Sequence, residues 1–171
     1  MKIEKVILVD EKDIPTGEME KMEAHEKAML HRAVSVFIFN SKHQMLIQQR
    51  AMCKYHSPGL WTNTACTHPY PGESSMDAAK RRLQQEMGLE AELHEIFDFI
   101  YKEKLDNELT EYEYDHVFIG YTDDIPVPDP DEVGDYKYID AKELINQVKE
   151  HPASYTVWFK KIYERVLDIT L

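Results

Sequence analysis

The chain has 171 residues, 43% of them hydrophobic, which is enough to fill the core of the single domain expected over 1–171. A net charge of -12 with no offsetting basic stripe excludes nucleic acid as a partner, and at long range it opposes any anionic ligand, so such a ligand would need a local basic pocket and a cation. No apolar run has the length of a membrane span, the opening Met1-Lys2-Ile3-Glu4-Lys5 lacks a signal-type stretch, and Cys53 and Cys66 read as reduced thiols, so no membrane partner and a cytoplasmic address are expected.

In chain order, β-branched and aromatic content predicts strands at 6–10, 34–40 and 45–49. A helix follows over 75–87, where Met76, Ala79, Leu83 and Met87 recur at helical spacing. Ser74 with Asp77 three residues on resembles a capping box, and Gly88 ends the helix as a left-handed cap would. Further strands are predicted at 96–101 and 112–120, an exposed Pro-rich acidic loop at 125–132, and helices at 141–149 and 154–167. There is no internal repeat or long linker. This order specifies an α/β fold, a mixed β-sheet packed between helices as an α/β/α sandwich.

Chemistry concentrates between Trp61 and Gly88. Trp61-Thr62-Asn63-Thr64-Ala65-Cys66-Thr67-His68-Pro69 brings a thiol and an imidazole together, and the helix that follows adds Arg81, Arg82 and Glu86. Glu111 and Glu113, two apart in a predicted strand, point to one face, and two like charges held together are costly without a cation between them. Taken singly, each of the chain's eight histidines reads as a surface or capping residue, and Cys66 as a small buried hydrophobe. Tyr101, on the aromatic side of its strand with Phe97 and Phe99, and Trp158, in Tyr155-Thr156-Val157-Trp158-Phe159, read equally well as core.

Glu73, Arg81, Leu83, Glu86, Gly88 and Leu89 fall at the spacing of the Nudix box, Gly-x5-Glu-x7-Arg-Glu-U-x-Glu-Glu-x-Gly-U, with U a bulky aliphatic residue. Thr67, Arg82 and Gln85 depart from it, standing where the box has its glycine, its first paired glutamate and one of its last two. Asn63-Thr64-Ala65-Cys66-Thr67-His68-Pro69 ahead of such a degenerate box resembles the type I isopentenyl diphosphate isomerases. The resemblance runs from Val6-Ile7-Leu8-Val9-Asp10 through Lys21, His25, His31, Gln49-Arg50-Ala51, Lys54 and Glu111-Tyr112-Glu113 to Trp158.

What the resemblance implies is specific. The substrate would be a small-molecule isoprenoid diphosphate, with isopentenyl and dimethylallyl diphosphate interconverted by adding one proton and removing another. Cys66 and Glu113 would be the opposed acid and base, with Tyr101 assisting Glu113 and the direction of protonation left open. His25, His31, His68, Glu111 and Glu113 would surround one divalent ion, and nitrogen with carboxylate donors suits Zn2+ or Mn2+. Glu86 and the Cys66 backbone would hold Mg2+ with the substrate phosphates. Lys21, Arg50, Lys54 and Arg82 would clamp the diphosphate, and Trp158 would face the substrate cation. A monomer or weak homodimer is expected. The rival readings are a Nudix hydrolase of nucleoside diphosphate derivatives, which Arg82 and Gln85 argue against, and a binding protein without turnover.

Overall fold

The computed structural model describes residues 4–170. The first strand is Lys5–Val9 (β1), and a strand not predicted, Pro15–Glu20 (β2), pairs antiparallel with it at an exposed edge. β2 has no apolar alternation, so it gave no periodic signal; pairing with β1 is what forms it. Lys21–Glu26 (α1) follows directly, started by the Glu20 carboxylate, which accepts from the N–H groups of Met22 and Glu23. At six residues it is too short for periodicity to reveal.

Next come His31–Phe39 (β3), Met45–Arg50 (β4), the short Trp61–Thr62 (β5) and Ala65–Thr67 (β6), and the helix Ser75–Met87 (α2). The chain continues through Leu93–Lys104 (β7), Thr110–Tyr121 (β8), Val133–Ile139 (β9), Ala141–Glu150 (α3) and Val157–Thr170 (α4). α2 has its predicted bounds: Ser74 Oγ accepts from the Asp77 N–H at 3.1 Å, and Gly88 takes the left-handed conformation at φ 61°.

β3 is the hub of the sheet. It pairs antiparallel with β1, β4 and β6 and parallel with β8, in a register that puts His31 beside Glu113 and Ser35 beside Cys66. Along β3 alternate residues serve opposite faces. Val34, Val36 and Ile38 pack with Ala78, Ala79, Leu83 and Met87 of α2, whereas Phe37 and Phe39 pack with Leu144 and Val148 of α3 and Phe159, Ile162 and Val166 of α4. The sheet therefore lies between helices, as predicted.

Three local expectations change. β9 was not foreseen because Gly134, Asp135 and Lys137 break its apolar content; its pairing with β4 forms it. α4 starts at Val157 rather than 154, since Pro152–Ser154 is a 3-10 turn and the Thr156 hydroxyl accepts from the Phe159 N–H. The loop at 125–132 exposes Ile125 and Val127 but is anchored: the N–H groups of Val127 and Asp129 donate to Met87 and Glu86 carbonyls at the end of α2. A side chain at Gly88 would come within 2.8 Å of the Val127 carbonyl, so a residue without Cβ is needed there for conformation and for space.

Candidate active site

Strand pleating gathers the chemistry on one face of the sheet. Cys66 lies opposite Ser35 and Glu113 beside His31, both on the α4 side of β3, and the alternation in β8 carries Glu111, Glu113 and Asp115 to that same side. Cys66, Tyr101, Glu111, Glu113 and Trp158 line one cavity, with His68, Glu86, Lys21, Arg50, Lys54 and Arg82 also in its wall. His25 and His31 are fully buried and do not reach that wall.

The geometry of the imidazoles would allow them to serve as metal donors. His25 Nδ1 lies 2.7 Å from the Lys21 carbonyl and His31 Nδ1 2.8 Å from the Met29 carbonyl. A carbonyl only accepts, so each Nδ1 carries the proton and each Nε2 presents a lone pair. Both Nε2 atoms are buried without a hydrogen-bond partner among the described residues, a costly state unless a cation takes them. Burial pushes the pKa values of His25, His31 and His68 below the ordinary 6.5, which keeps these rings neutral. Donor atoms of His25, His31, His68 and Glu113 all lie within 4.8 Å of one another, so the residues present fit a divalent ion. Glu111 departs from the single five-residue set: it groups instead with His25 and His56.

Glu111 and Glu113 are joined through Tyr101, whose hydroxyl donates to Glu111 Oε2 at 2.6 Å and lies 3.1 Å from Glu113 Oε2. One phenolic proton serves one acceptor, so the paired carboxyls repel when both are ionised. Burial raises both pKa values, Glu113 to about 7, and the charge on Glu113 raises that of Glu111 further.

The sign of the resulting pH dependence follows. Below the ordinary 4.5 a raised carboxyl makes its full relative contribution to stability, and this is lost as pH climbs through the folded value, about 7 for Glu113. The depressed histidines act oppositely, with stability present above the ordinary 6.5 and lost in acid. Above the ordinary histidine value of 6.5 only the carboxyl effect remains. The metal-free protein should therefore melt at progressively lower temperature as pH rises from about 6.5 through the titration of Glu113 at about 7, with Glu111, also raised, adding to the decline, and saturating Mn2+ should abolish it; calorimetry showing the same slope with and without metal would refute the assignment.

Cys66 lines the same cavity. Burial, followed by the nearby Glu86 carboxylate, pushes its thiol up to about 12, so it holds its proton at neutral pH. Its backbone N–H donates to Glu86 Oε2 at 3.2 Å, and the Gln48 amide lies 3.4 Å from Glu86 Oε1. What joins the two groups predicted to hold Mg2+ is thus a hydrogen bond between them. Arg82 Nε approaches Glu86 Oε2 at 3.2 Å, one helical turn away as its spacing requires. Glu73 and Arg81, both box residues, form a two-point pair at 2.9 and 3.0 Å that braces the loop before α2.

The cationic wall is held by internal anions. Lys21 pairs with Glu4 at 2.7 Å, while Glu132 Oε2 takes Arg82 at 2.8 Å and also Lys54. Glu132 thus occupies cations that a diphosphate would use. Glu132→Gln should bind inorganic pyrophosphate about 5-fold more tightly, the equivalent of roughly 1 kcal/mol for a partly exposed pair. Weaker binding in calorimetric titration would mean that Glu132 orients the two cations rather than competing for them.

Trp158 is buried in the wall with the Arg50 guanidinium 5.3 Å from its ring centre, so its face already attracts a cation. Lys54 and His56 reach the cavity from the loop between β4 and β5, which the tip of the β7–β8 hairpin holds down. The Asp106 carboxylate accepts from the Ser57 N–H at 3.1 Å, and the Asn107 amide donates to the Tyr55 carbonyl at 2.9 Å. Ser57 has φ 49°, a left-handed conformation that this latch sustains.

Sequence reasoning missed four residues of the site. Asp115 continues the two-residue alternation of Glu111 and Glu113, a usable signal; it accepts from Ser35 Oγ at 2.7 Å, and its Oδ1 is buried without a hydrogen-bond partner among the described residues. Ser35, His56 and Glu132 carried no spacing signal, because chain segments remote in sequence bring them in.

A mixed sheet between helices, with a buried glutamate and a half-buried arginine on the helix of a degenerate box, defines a Nudix domain, and residues 29–161 match the NUDIX domain family. Two solved structures share the fold. One is a Deinococcus radiodurans protein (TM-score 0.72, 20% identical, 86% of this chain and 90% of that one), the other a MutT protein from Methanosarcina mazei (TM-score 0.66, 17% identical, 80% and 91%).

Within that class the chain belongs to the isopentenyl-diphosphate Delta-isomerase family. It is 51% identical to the isopentenyl-diphosphate Delta-isomerase of Pectobacterium atrosepticum over 98% of this chain and 94% of the relative. It is also 50% identical to isopentenyl-diphosphate Delta-isomerase 2 of Photorhabdus laumondii, over 92% and 89% of the two chains.

Proposed function

We infer that this chain interconverts isopentenyl diphosphate and dimethylallyl diphosphate, with Cys66 and Glu113 as acid and base. The observation that carries the assignment of these two is their convergence on one cavity from β6 and β8, the two strands that flank β3. In this reading His25, His31, His68 and Glu113, with Glu111 adjoining, hold one Mn2+ or Zn2+, and Glu86 with the substrate phosphates holds Mg2+. A bound divalent ion supplies positive charge that keeps the paired carboxylates ionised and fixes the orientation of Glu113. Lys21, Arg50, Lys54 and Arg82 bind the diphosphate, with the arginine forks suited to its oxygens.

The energetics require more than a proton donor. Enzymes lower barriers by roughly 8–23 kcal/mol, while one positioned acid supplies about 10²–10⁴-fold in rate, or about 3–5 kcal/mol. Orientation through the diphosphate and exclusion of water from the cavity must contribute much of the remainder. Trp158 adds about 2 kcal/mol if its indole face meets the tertiary cation desolvated. Tyr101 holds Glu113 in place.

The partner is a small isoprenoid diphosphate. No helix among the described residues is long and apolar enough to cross a membrane, and Cys53 and Cys66 are free thiols, which supports a reducing, cytoplasmic setting. The test is proton NMR of the purified protein with isopentenyl diphosphate, Mg2+ and Mn2+ in deuterated water. Dimethylallyl diphosphate carrying deuterium is the expected product. No conversion by fully metallated protein would overturn the reading, and phosphate release from nucleoside diphosphates would replace it with hydrolysis.

A further inference from the structure

Among the cations assigned to the diphosphate, Lys21 pairs with Glu4, and Lys54 and Arg82 both pair with Glu132. Arg50 is buried and pairs with no carboxylate among the described residues. Its Nε has no hydrogen-bond partner there, and the guanidinium is held by one bond, from Nη2 to the His56 carbonyl at 3.2 Å. The Arg50 backbone is already tied down: its N–H donates to the Leu60 carbonyl at 2.8 Å and its carbonyl accepts from the Gly59 N–H at 3.0 Å. What stays adjustable is the direction of the fork, which carries five donors.

The carbonyl that takes Nη2 belongs to the peptide unit between His56 and Ser57. The N–H of that same unit is gripped from the other side, donating to Asp106 Oδ1 at 3.1 Å and Oδ2 at 3.3 Å. A trans peptide is planar, so its C=O and N–H point in opposite directions, and fixing one aims the other. Carboxylate, peptide dipole and guanidinium thus stand in line, each bond polarising the next. The left-handed Ser57, at φ 49°, is the backbone expression of this grip. That conformation is uncommon for a residue with a Cβ, so without Asp106 the peptide would turn and carry the carbonyl away from Arg50.

We propose that Asp106 is a positioning residue for diphosphate binding: across the His56–Ser57 peptide it aims the carbonyl that orients the Arg50 guanidinium. The proposal rests on the reading of Arg50 as a diphosphate ligand. Asp106 itself is exposed at the tip of the β7–β8 hairpin and does not line the cavity, so it acts at one remove.

The experiment is calorimetric titration of inorganic pyrophosphate with Mg2+ into the full chain, for the unaltered protein, Asp106→Ala, Arg50→Gln and the double variant. Asp106→Ala should bind about 3- to 10-fold more weakly, the effect of one hydrogen bond. Asp106→Asn, which keeps an oxygen for the Ser57 N–H, should recover most of that loss. In the Arg50→Gln background Asp106→Ala should make no further difference, a result that general loosening of the loop would not give. Equal losses in both backgrounds, or unchanged affinity in Asp106→Ala, would overturn the role of Asp106 and leave the diphosphate reading standing. Arg50→Gln binding as tightly as the unaltered protein would overturn Arg50 as a ligand, and this proposal with it. A check without any variant is hydrogen exchange at the Ser57 amide of the unaltered protein: slow exchange is expected, and exchange at the rate of an open loop would refute the grip.

Discussion

Cys66→Ala should lose turnover by at least about 10²–10⁴-fold, the contribution of one positioned acid or base, while keeping its full complement of Mn2+ or Zn2+. The dissociation follows from the layout. Cys66 lines the cavity, and among the described residues its hydrogen bond to a candidate ligand is made by the backbone N–H, which donates to Glu86 at 3.2 Å and survives the substitution. A thiol held protonated by burial has a proton to give, and alanine has none. Metal analysis by atomic emission, paired with deuterium incorporation into the substrate, makes the test. Retained turnover would remove Cys66 from the mechanism.

Glu113→Gln should show the opposite pattern, in which catalysis and metal binding fall together. Glu113 Oε1 faces the imidazoles of His31 and His68, at 3.8 and 3.1 Å, and its Oε2 lies 3.1 Å from the Tyr101 hydroxyl. Loss of this carboxylate should weaken Mn2+ binding by more than about 10-fold, since even the neighbours of metal ligands contribute about 10–100-fold. The same change removes a buried group whose ionisation is unfavourable without a cation. Metal-free Glu113→Gln should therefore be more stable than the unaltered metal-free protein above neutral pH. Unchanged metal affinity would show that the base and the ligand are different residues.

The sequence disclosed most of what local pattern controls. α2, with its Ser74 cap and its Gly88 terminus, was legible because cap, apolar spacing and glycine all agree within a few turns. β2 and β9 were not, because both are polar strands that exist through their partners. The same distinction runs through the site. The positions of Cys66, His68, Glu86, Glu111 and Glu113 were carried by motifs and by the period of a strand. His56 and Glu132 enter from loops whose course is set by contacts far along the chain, the Asp106 latch in one case and the anchoring of 125–132 to α2 in the other. Grouping Glu111 with the other ligands was right about its strand face, but the sequence held no information on which imidazole its oxygen would meet.

The parallel pairing of β3 with β8 also bears on how the protein comes to be made. Ser35 and Asp115, bonded at 2.7 Å, are 80 residues apart in the chain, and parallel neighbours cannot be joined by a tight hairpin. During synthesis the histidines of α1 and β3 and the thiol of β6 leave the ribosome well before the carboxylates of β8. The nascent chain thus carries a reactive thiol and lone-pair imidazoles with no paired glutamates to select the ion that binds them. Only when β8 docks on β3 do the candidate acid, base and ligands become one site, so the maturation of this enzyme is tied to a long-range parallel pairing, a slow kind of contact for a sheet to form.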